Sequence, residues 1–275
     1  MVLFQDPDAF LTEIEEIAGL GGERLMAHWR ALEPDQINEK ARNDMVSAAD
    51  LASEQAIMEA IRSRFPDHGI LSEEAGQSTP SENGPTWIID PLDGTTNFVH
   101  GLPQFAVSIG VAVDGRLDFG VILDPCKSDV FSAARGRGAK WNGRPCHVSS
   151  RDGLAGALLA TGFPFKAHRL LDPYLAIFRD LFLRCKAIRR PGAAALDLAY
   201  TACGLFDGFF EFQLSPWDLA AGAVLVEEAG GVITDMDGGS DYLSSGNVVC
   251  GPTGVHRQIL EVIGGHREQW MKSLK

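Results

Sequence analysis

The chain has 275 residues, of which 45% are hydrophobic and 22% charged, so it can form one large core or two that share an interface. A net charge of -13 argues against a broad nucleic-acid surface, which needs clustered lysine and arginine. The five cysteines form no C-x-x-C pair, and no run of 18 apolar residues or signal-peptide pattern occurs. We therefore expect buried thiols, a cytoplasmic location and no membrane partner.

Apolar residues recur every three or four positions at the start of the chain and predict two helices. The first includes Phe10 and ends before Glu33-Pro34, and the second runs from Ala48 to about Phe65. The inner face of the second is expected to carry Leu51, Ile57, Met58 and Ile61.

Short apolar runs bounded by Gly, Pro and Asp come next and predict strands. Asp114-Gly115 indicates a tight hairpin between two of them. This half is expected to form an antiparallel sheet with helices on one side. The predicted strands cover 69–71, 86–89, 105–113, 119–123 and 130–134.

From about residue 155, strand and helix candidates alternate, which is typical of a layered α/β region. We place a boundary near Ser150, giving domains 1–150 and 151–275, and expect the two to pack as one body because no linker separates them. The predicted strands are 157–161, 187–189, 208–211, 231–234 and 247–250, and the helices are 170–183, 194–203, 219–228 and 256–275.

Two carboxylates follow the predicted strand at residues 86–89. The strand ends at Asp90, turns through Pro91 and reaches Asp93 three residues later. This spacing brings both carboxylates and the carbonyl of Leu92 to one small region. Hard divalent cations prefer such oxygen ligands, and Mg²⁺ takes one or two carboxylates per ion.

The next residues suit an anion. Gly94 allows the backbone to approach a ligand closely, and Thr95 and Thr96 can open a helical turn whose N–H groups face a phosphate. An Asp-Gly turn with Thr95 as an ordinary N-cap is the alternative for this short segment.

Two further acidic segments complete the pattern. Glu73-Glu74 follows a strand, and adjacent side chains on a strand point to opposite faces, so one of the two is expected to face the site and the other to lie behind it. Asp218 follows Pro216 at the start of a helix of small residues. The alternative for Glu73-Glu74 is a solvated loop edge. The alternative for Asp218 is a partner for the helix dipole.

Together these segments resemble the signatures of the inositol monophosphatase family, the lithium-sensitive Mg²⁺-dependent sugar phosphatases. The resemblance rests on Glu73-Glu74, the stretch from Trp87 to His100, Trp217-Asp218 and the run from Glu228 to Gly231. It implies an α+β or α/β fold, a layered αβαβα sandwich. It also implies hydrolysis of a small phosphate monoester by direct in-line attack of water, with myo-inositol 1-phosphate as the first candidate. Histidinol phosphate, fructose 1,6-bisphosphate and 3′-phosphoadenosine 5′-phosphate are the alternatives.

The resemblance implies two or three Mg²⁺ ions. One ion would be bound by Glu73, Asp90 and the Leu92 carbonyl, and a second by Asp90, Asp93 and Asp218. A third, weaker ion would lie near Glu73. Two ions that share Asp90 can polarise the phosphoryl group and activate water together.

The remaining roles also follow from the resemblance. Thr95, with Glu73, would position and deprotonate the attacking water, and Asp50 would hydrogen-bond Thr95. Asp44 lies in the same pattern as Asp50, with a helix-initiating acid as its alternative. Lys40 would correspond to a lysine near the third ion, although the spacing from Lys40 to Asp50 is one residue shorter than the family pattern implies.

Substrate contacts are implied on two segments. The amides around Gly94 and Thr95 would hold phosphate oxygens, and Glu211 would accept hydrogen bonds from substrate hydroxyls. Gly192-Ala193 takes the place of a family segment that carries a hydroxyl, so that hydroxyl is missing here.

The only compact basic cluster is Arg184, Lys186, Arg189 and Arg190, which is either a solvated face or a contact for a second anionic group or a protein partner. A second class of function is a dual-role partner protein, since some bacterial relatives act in transcription or RNA-processing complexes. The acidic composition argues against direct nucleic-acid binding. The family resemblance also implies a homodimer.

Overall fold

The computed structural model describes residues 6–41, 44–77, 84–165 and 167–273. They form five layers: a helix pair, an eight-stranded sheet, a second helix pair, a five-stranded sheet and an outer group of helices. This is the αβαβα sandwich expected above. No helix within these ranges is long and apolar enough to cross a membrane.

The first layer is formed by helices α1 (Pro7–His28) and α2 (Ala48–Arg64), which pack on one another. A hairpin of β1 (Ile37–Ala41) and β2 (Asp44–Ser47) joins them. The prediction that Leu51 faces inward is wrong, since its side chain is 53% exposed. Asp50 takes the inner position because it closes a capping box with Ser47 and so fixes the rotation of α2.

The large sheet is antiparallel except where the strand Gly69–Ser72 pairs in parallel with the strand Thr86–Asp93. Helices α1 and α2 cover one face, as expected, but helices from the second half cover the other. The strands are β3 (Gly69–Ser72), β4 (Gly76–Gln77), β5 (Thr86–Asp93), β6 (Ala106–Val113), β7 (Arg116–Asp124), β8 (Asp129–Ala134), β9 (Ala139–Trp141) and β10 (Arg144–Cys146), and α3 (Thr95–Val99) follows β5. Their order across the sheet is β10-β9-β8-β7-β6-β5-β3-β4.

The second half follows the predicted alternation of strands and helices. Its elements are β11 (Leu158–Thr161), α4 (Leu171–Phe182), β12 (Ala187–Arg189), α5 (Ala194–Ala202), β13 (Gly208–Glu211), α6 (Pro216–Glu228), β14 (Val232–Thr234), α7 (Tyr242–Ser245), β15 (Val248–Gly251), α8 (Thr253–Gly265) and α9 (Arg267–Ser273). The five strands form a sheet of order β12-β11-β13-β15-β14. The predicted C-terminal helix is two helices, α8 and α9, that meet at His266.

Small residues bring α6 unusually close to the large sheet. A Cβ atom on Gly120 would lie 2.4 Å from the Ala221 carbonyl oxygen, and one on Gly110 would lie 2.7 Å from the Ala220 Cβ. Neither glycine can be replaced without moving the helix. This close contact places the N-terminus of α6 beside the end of β5.

One core cluster contains residues from both sides of Ser150, so the two halves share part of their core. The domain boundary near Ser150 stays a prediction. All five cysteines are free thiols. Only Cys250 is fully buried, and the other four are half-buried, which corrects the expectation of buried thiols. Cys146 lies on the edge strand β10, and the other three half-buried cysteines, Cys126, Cys185 and Cys203, lie in turns or bends, where solvent reaches part of each side chain.

Candidate active site

Three aspartates meet where β5 ends and α6 begins. Asp90, Asp93 and Asp218 each offer a carboxylate oxygen, and these three oxygens lie within 4.8 Å of one another. Strand β5 continues through the predicted turn, with an irregular register between Asp90 and Asp93. There the Leu92 amide donates to Asp90 Oδ1 (2.9 Å). The Ser215 amide donates to Asp218 Oδ2 (2.7 Å), which fixes the third carboxylate at the helix N-terminus.

The three carboxylates lie in an electrostatically unfavourable place for an apoprotein. Burial raises the pKa of Asp90 well above its ordinary value, and the negative charges of Glu73, Asp93 and Asp218 raise it further. Burial and then Asp218 raise the pKa of Asp93 to about 7, although the amide of Ala195 opposes the shift. Carboxylates crowded in this way need protons or a cation. An all-oxygen donor set fits a hard divalent cation such as Mg²⁺.

A hydroxyl lies next to this cluster. The Thr95 Oγ1 atom, in the first turn of α3, is 3.0 Å from Asp50 Oδ1 and 3.1 Å from the Leu92 carbonyl oxygen. Asp50 is 1% exposed and also accepts the hydroxyl and amide protons of Ser47 (2.7 and 2.9 Å). Burial raises the pKa of Asp50, while the bonds from Ser47 and Thr95 lower it. Asp50, the neighbour that the family resemblance implied, therefore contacts Thr95, and the catalytic roles of the two residues stay predictions.

Glu73 and Glu74 lie in a turn after β3 and not on the strand itself, which corrects their expected alternation. The Glu73 amide donates to the Ile89 carbonyl oxygen of β5 (3.2 Å). The turn is held by Glu54, a buried residue of α2. Its Oε1 atom accepts hydrogen bonds from the Ser72 hydroxyl and from the amides of Glu74 (3.2 Å) and Ala75 (3.0 Å).

Of the groups described above, Glu73 and Thr95 line a cleft of about 450 Å³. Gly94, whose φ of 90° suits glycine, lines it, and a Cβ there would lie 2.9 Å from the Gln104 carbonyl oxygen. Ala193, predicted as a substrate contact, is 1% exposed and lies behind Gly94, so its side chain forms the layer behind the cleft wall. The cleft is lined by Met45, Glu73, Gly94, Thr95, Thr96, Asn97, His100, Phe165, Arg190 and Gly192.

A model of the inositol monophosphatase family matches residues 6–271. The chain belongs to this family. It is 48% identical over 249 residues to Nus factor SuhB of Pseudomonas aeruginosa, which covers 89% of this chain and 92% of that protein.

Solved structures agree with the family assignment. The extragenic suppressor protein SuhB of Bartonella henselae superposes with a TM-score of 0.90 at 38% identity, covering 93% of this chain and 98% of that one. The inositol monophosphatase of Anabaena superposes with a TM-score of 0.83 at 39% identity, covering 94% and 96% of the two chains.

In this member of the inositol monophosphatase family, Glu211 lies in a smaller cleft of about 140 Å³ that shares Phe165 with the larger one. Burial raises the pKa of Glu211 to about 8, and the charge of Arg190 opposes that shift. A Cβ on Gly162 would lie 1.9 Å from Glu211 Oε1, so only glycine leaves room for this carboxyl. Asp197 is also buried, and its Oδ1 atom has no hydrogen-bond partner among the described residues.

Several site residues were missed from the sequence, among them Asn97, Glu54, Gly162 and Asp197. Asn97 joins the two halves. Its side-chain Nδ2 atom donates toward the carbonyl oxygens of Gln104 (2.8 Å), Pro191 (3.0 Å) and Gly192 (3.2 Å). Glu54 had a usable signal, because it lies four residues after Asp50 on the inner face of α2. The other two, Gly162 and Asp197, had no local signal.

The predictions for Lys40 and Asp44 lie outside what the structure describes. Their backbones belong to the β1–β2 hairpin, but the placement of their side chains is not described. Their roles stay predictions.

Proposed function

We propose that this protein hydrolyses a small phosphate monoester with Mg²⁺, with myo-inositol 1-phosphate as the first candidate substrate. The observation that carries the proposal is the meeting of two buried carboxylates and one half-buried carboxylate with the Thr95 hydroxyl beside one cleft. Membership of the inositol monophosphatase family supports the same reaction class.

The metal ligands are proposed from these contacts together with the family resemblance. Glu73, Asp90 and the Leu92 carbonyl would hold one ion, and Asp90, Asp93 and Asp218 a second, with a weaker third ion near Glu73. When bound, the ions would supply Lewis-acid stabilisation of the phosphoryl group and lower the pKa of water.

The protein's own groups then orient the reactants. The Thr95 hydroxyl donates its proton toward Asp50 and the Leu92 carbonyl, which fix its rotation, so that its oxygen would accept a hydrogen bond from the attacking water. Amides at Gly94, Thr95 and Thr96 would bind phosphate oxygens. Glu211 would accept a hydrogen bond from a substrate hydroxyl in the adjoining cleft.

Phosphate release from a substrate panel tests the proposal. The panel contains myo-inositol 1-phosphate, histidinol phosphate, fructose 1,6-bisphosphate and 3′-phosphoadenosine 5′-phosphate. We expect Mg²⁺-dependent release from at least one of them, abolished by EDTA and by Asp93→Asn. The matched control Asp172→Asn changes an exposed aspartate of α4 and should retain activity. Absence of release from all four substrates would refute the proposal.

We also propose a second role as a partner in a transcription or RNA-processing complex. Relatives such as that of Pseudomonas aeruginosa carry the name Nus factor SuhB at 48% identity, and this name supports the second role at least as strongly as a particular substrate. The net charge of -13 favours a protein surface over RNA as the direct contact.

Affinity capture separates the two roles. Asp93→Asn protein should retain its transcription partners while losing hydrolysis, and ribonuclease treatment before capture should leave the contact intact. Loss of every partner after ribonuclease would show that RNA bridges the complex. Sedimentation of the purified chain tests the expected homodimer in the same preparation.

A further inference from the structure

Two thiols meet at the edge of the large sheet, on residues that the proposed reaction does not use. The Sγ atoms of Cys146 and Cys203 lie 2.8 Å apart, and both side chains are half-buried. This separation is about 0.8 Å longer than the roughly 2.05 Å of a disulfide bond. The two cysteines are 57 positions apart in the sequence, so the fold and not a local turn brings them together.

Backbone packing holds the two cysteines against each other. Cys146 ends the edge strand β10, and Cys203 directly follows the last turn of α5. Gly204, the next residue, has a φ of 72°, and a Cβ there would lie 3.1 Å from the His147 carbonyl oxygen. The glycine therefore lets the turn after α5 lie directly against the segment that follows β10. Because the sulfurs already touch in the folded protein, a bond between them requires little movement of the backbone.

The contact also makes the two sulfurs chemically unequal. The Cys203 thiol donates its hydrogen bond to the Cys146 sulfur. This bond lowers the pKa of Cys146, although burial opposes the shift. The same bond and then burial raise the pKa of Cys203. A thiolate is the nucleophile in disulfide exchange, so Cys146 is expected to attack first and Cys203 to close the bond.

We propose that Cys146 and Cys203 form a reversible intramolecular disulfide by exchange with a small-molecule disulfide. The Cys146 thiolate attacks one sulfur of that oxidant, forms a mixed disulfide and releases a first small thiolate. Cys203 gives its proton to this thiolate and attacks the Cys146 sulfur, which releases a second small thiolate. The second thiolate takes up the proton that Cys146 had lost to solvent. Two protein thiols are thereby oxidised, and one small disulfide is reduced to two thiols.

The disulfide would tie the edge of the large sheet to α5. This helix begins beside the carboxylate cluster, where the Ala195 amide donates to Asp93 Oδ2 (2.8 Å). A cross-link between residues this far apart in the sequence restricts the unfolded chain and so favours the folded state. Oxidation would therefore stabilise the fold, because the bond closes where the two elements already meet.

Thiol titration and peptide mapping test the proposal on the full chain. After incubation with oxidised glutathione, the five free thiols should fall to three, because one pair is consumed. A proteolytic digest should then contain Cys146 joined to Cys203, and dithiothreitol should restore all five thiols. Five remaining thiols, a stable glutathione adduct as the final product, or a bond between two other cysteines would overturn the proposal.

Thermal unfolding measures the effect of the bond. The oxidised protein should melt on the order of 5 °C above the reduced protein. Cys203→Ala should abolish this difference, whereas Cys185→Ala, which replaces another half-buried cysteine, should keep it. If Cys203→Ala does not fold, Cys146→Ser takes its place, and the peptide map decides without any variant. A difference that persists in Cys203→Ala would show that the bond is not its cause.

Alkylation tests which sulfur attacks first. In the reduced protein at neutral pH, iodoacetamide should modify Cys146 before Cys126 and Cys185, since burial raises the pKa of both of these thiols. Cys203→Ala removes the hydrogen-bond donor and should slow the alkylation of Cys146 by about threefold. Faster modification of Cys203 than of Cys146, or an unchanged Cys146 rate in Cys203→Ala, would overturn the assigned order of attack.

Discussion

The two ends of the cleft are constructed differently. The carboxylate end, comprising Glu73, Asp90, Asp93 and Asp218, is fixed by backbone hydrogen bonds at the ends of strands and helices. The basic end, comprising Phe165, Arg190 and Gly192, lies on loops of the second half and depends on a stacking contact and a glycine. Substrate choice can therefore vary at the basic end while the chemistry at the carboxylate end stays constant.

The largest effect should come from Asp90→Asn. Asp90 is 2% exposed and lies among the other carboxylates, so both proposed ions depend on it. We expect phosphate release from every substrate to fall by on the order of a thousandfold, because several kcal/mol of charge stabilisation are lost. Calorimetric titration with Mg²⁺ should show both affinities reduced. Unchanged Mg²⁺ affinity would disprove the shared-ligand model, and Asp172→Asn is again the control.

A smaller effect is expected from Glu54→Leu, which removes the acceptor for the Ser72 hydroxyl and the two amides of the Glu73 turn. Mg²⁺ affinity and kcat/KM should fall by about 10 to 100-fold, as is usual for groups that orient ligands. Glu54→Gln keeps one acceptor oxygen and should restore most of the affinity.

Glu59→Leu is the matched control for Glu54→Leu, because Glu59 is an exposed residue of the same helix. It should leave Mg²⁺ affinity unchanged. If Glu54→Leu lowered the melting temperature but left Mg²⁺ affinity intact, Glu54 would be a structural residue only.

The difference between the ends also explains what the sequence could predict. Asp90, Asp93 and Thr95 lie within six residues of one another, so their spacing alone indicated a site. Most helices and strands were predicted within a few residues because their apolar periodicity is local. The inward position of Asp50 instead of Leu51 follows from the capping box with Ser47, which is local, and from the contact with Thr95 of α3, which no local pattern contains.

The second end was harder to predict for the same physical reason. Gly162 matters only because Glu211, 49 residues later, is folded against it on the neighbouring strand. Asn97 connects to Gly192 across 95 residues. Contacts of this kind arise from sheet order and helix packing, so a single sequence gives no local signal for them.

Gly162→Ala tests the second end separately. The new Cβ would lie 1.9 Å from Glu211 Oε1, so this carboxyl must move. We expect KM to rise by roughly tenfold, about one well-placed charged hydrogen bond, while Mg²⁺ affinity stays unchanged. Gly264→Ala is the matched control, because no atom lies within 4 Å of its added Cβ. A loss of Mg²⁺ affinity in Gly162→Ala would show that the two ends are not independent.

The smallest effect concerns the metal-free protein and pH. The pKa of Asp93 is raised from 3.8 to about 7, chiefly by burial, so its folded state holds a proton more tightly than its unfolded state. The stability that this proton contributes is complete below about pH 4 and is lost as pH rises through 7. Between pH 5 and pH 8 the melting temperature without metal should therefore fall by on the order of 5 °C, and excess Mg²⁺ should offset the fall at pH 8. Asp93→Asn removes the titrating group, so its melting temperature should decline less over the same range. Equal declines in the two proteins, or equal stabilisation by Mg²⁺ at pH 5 and pH 8, would mean that the carboxylate end does not control stability through its charge.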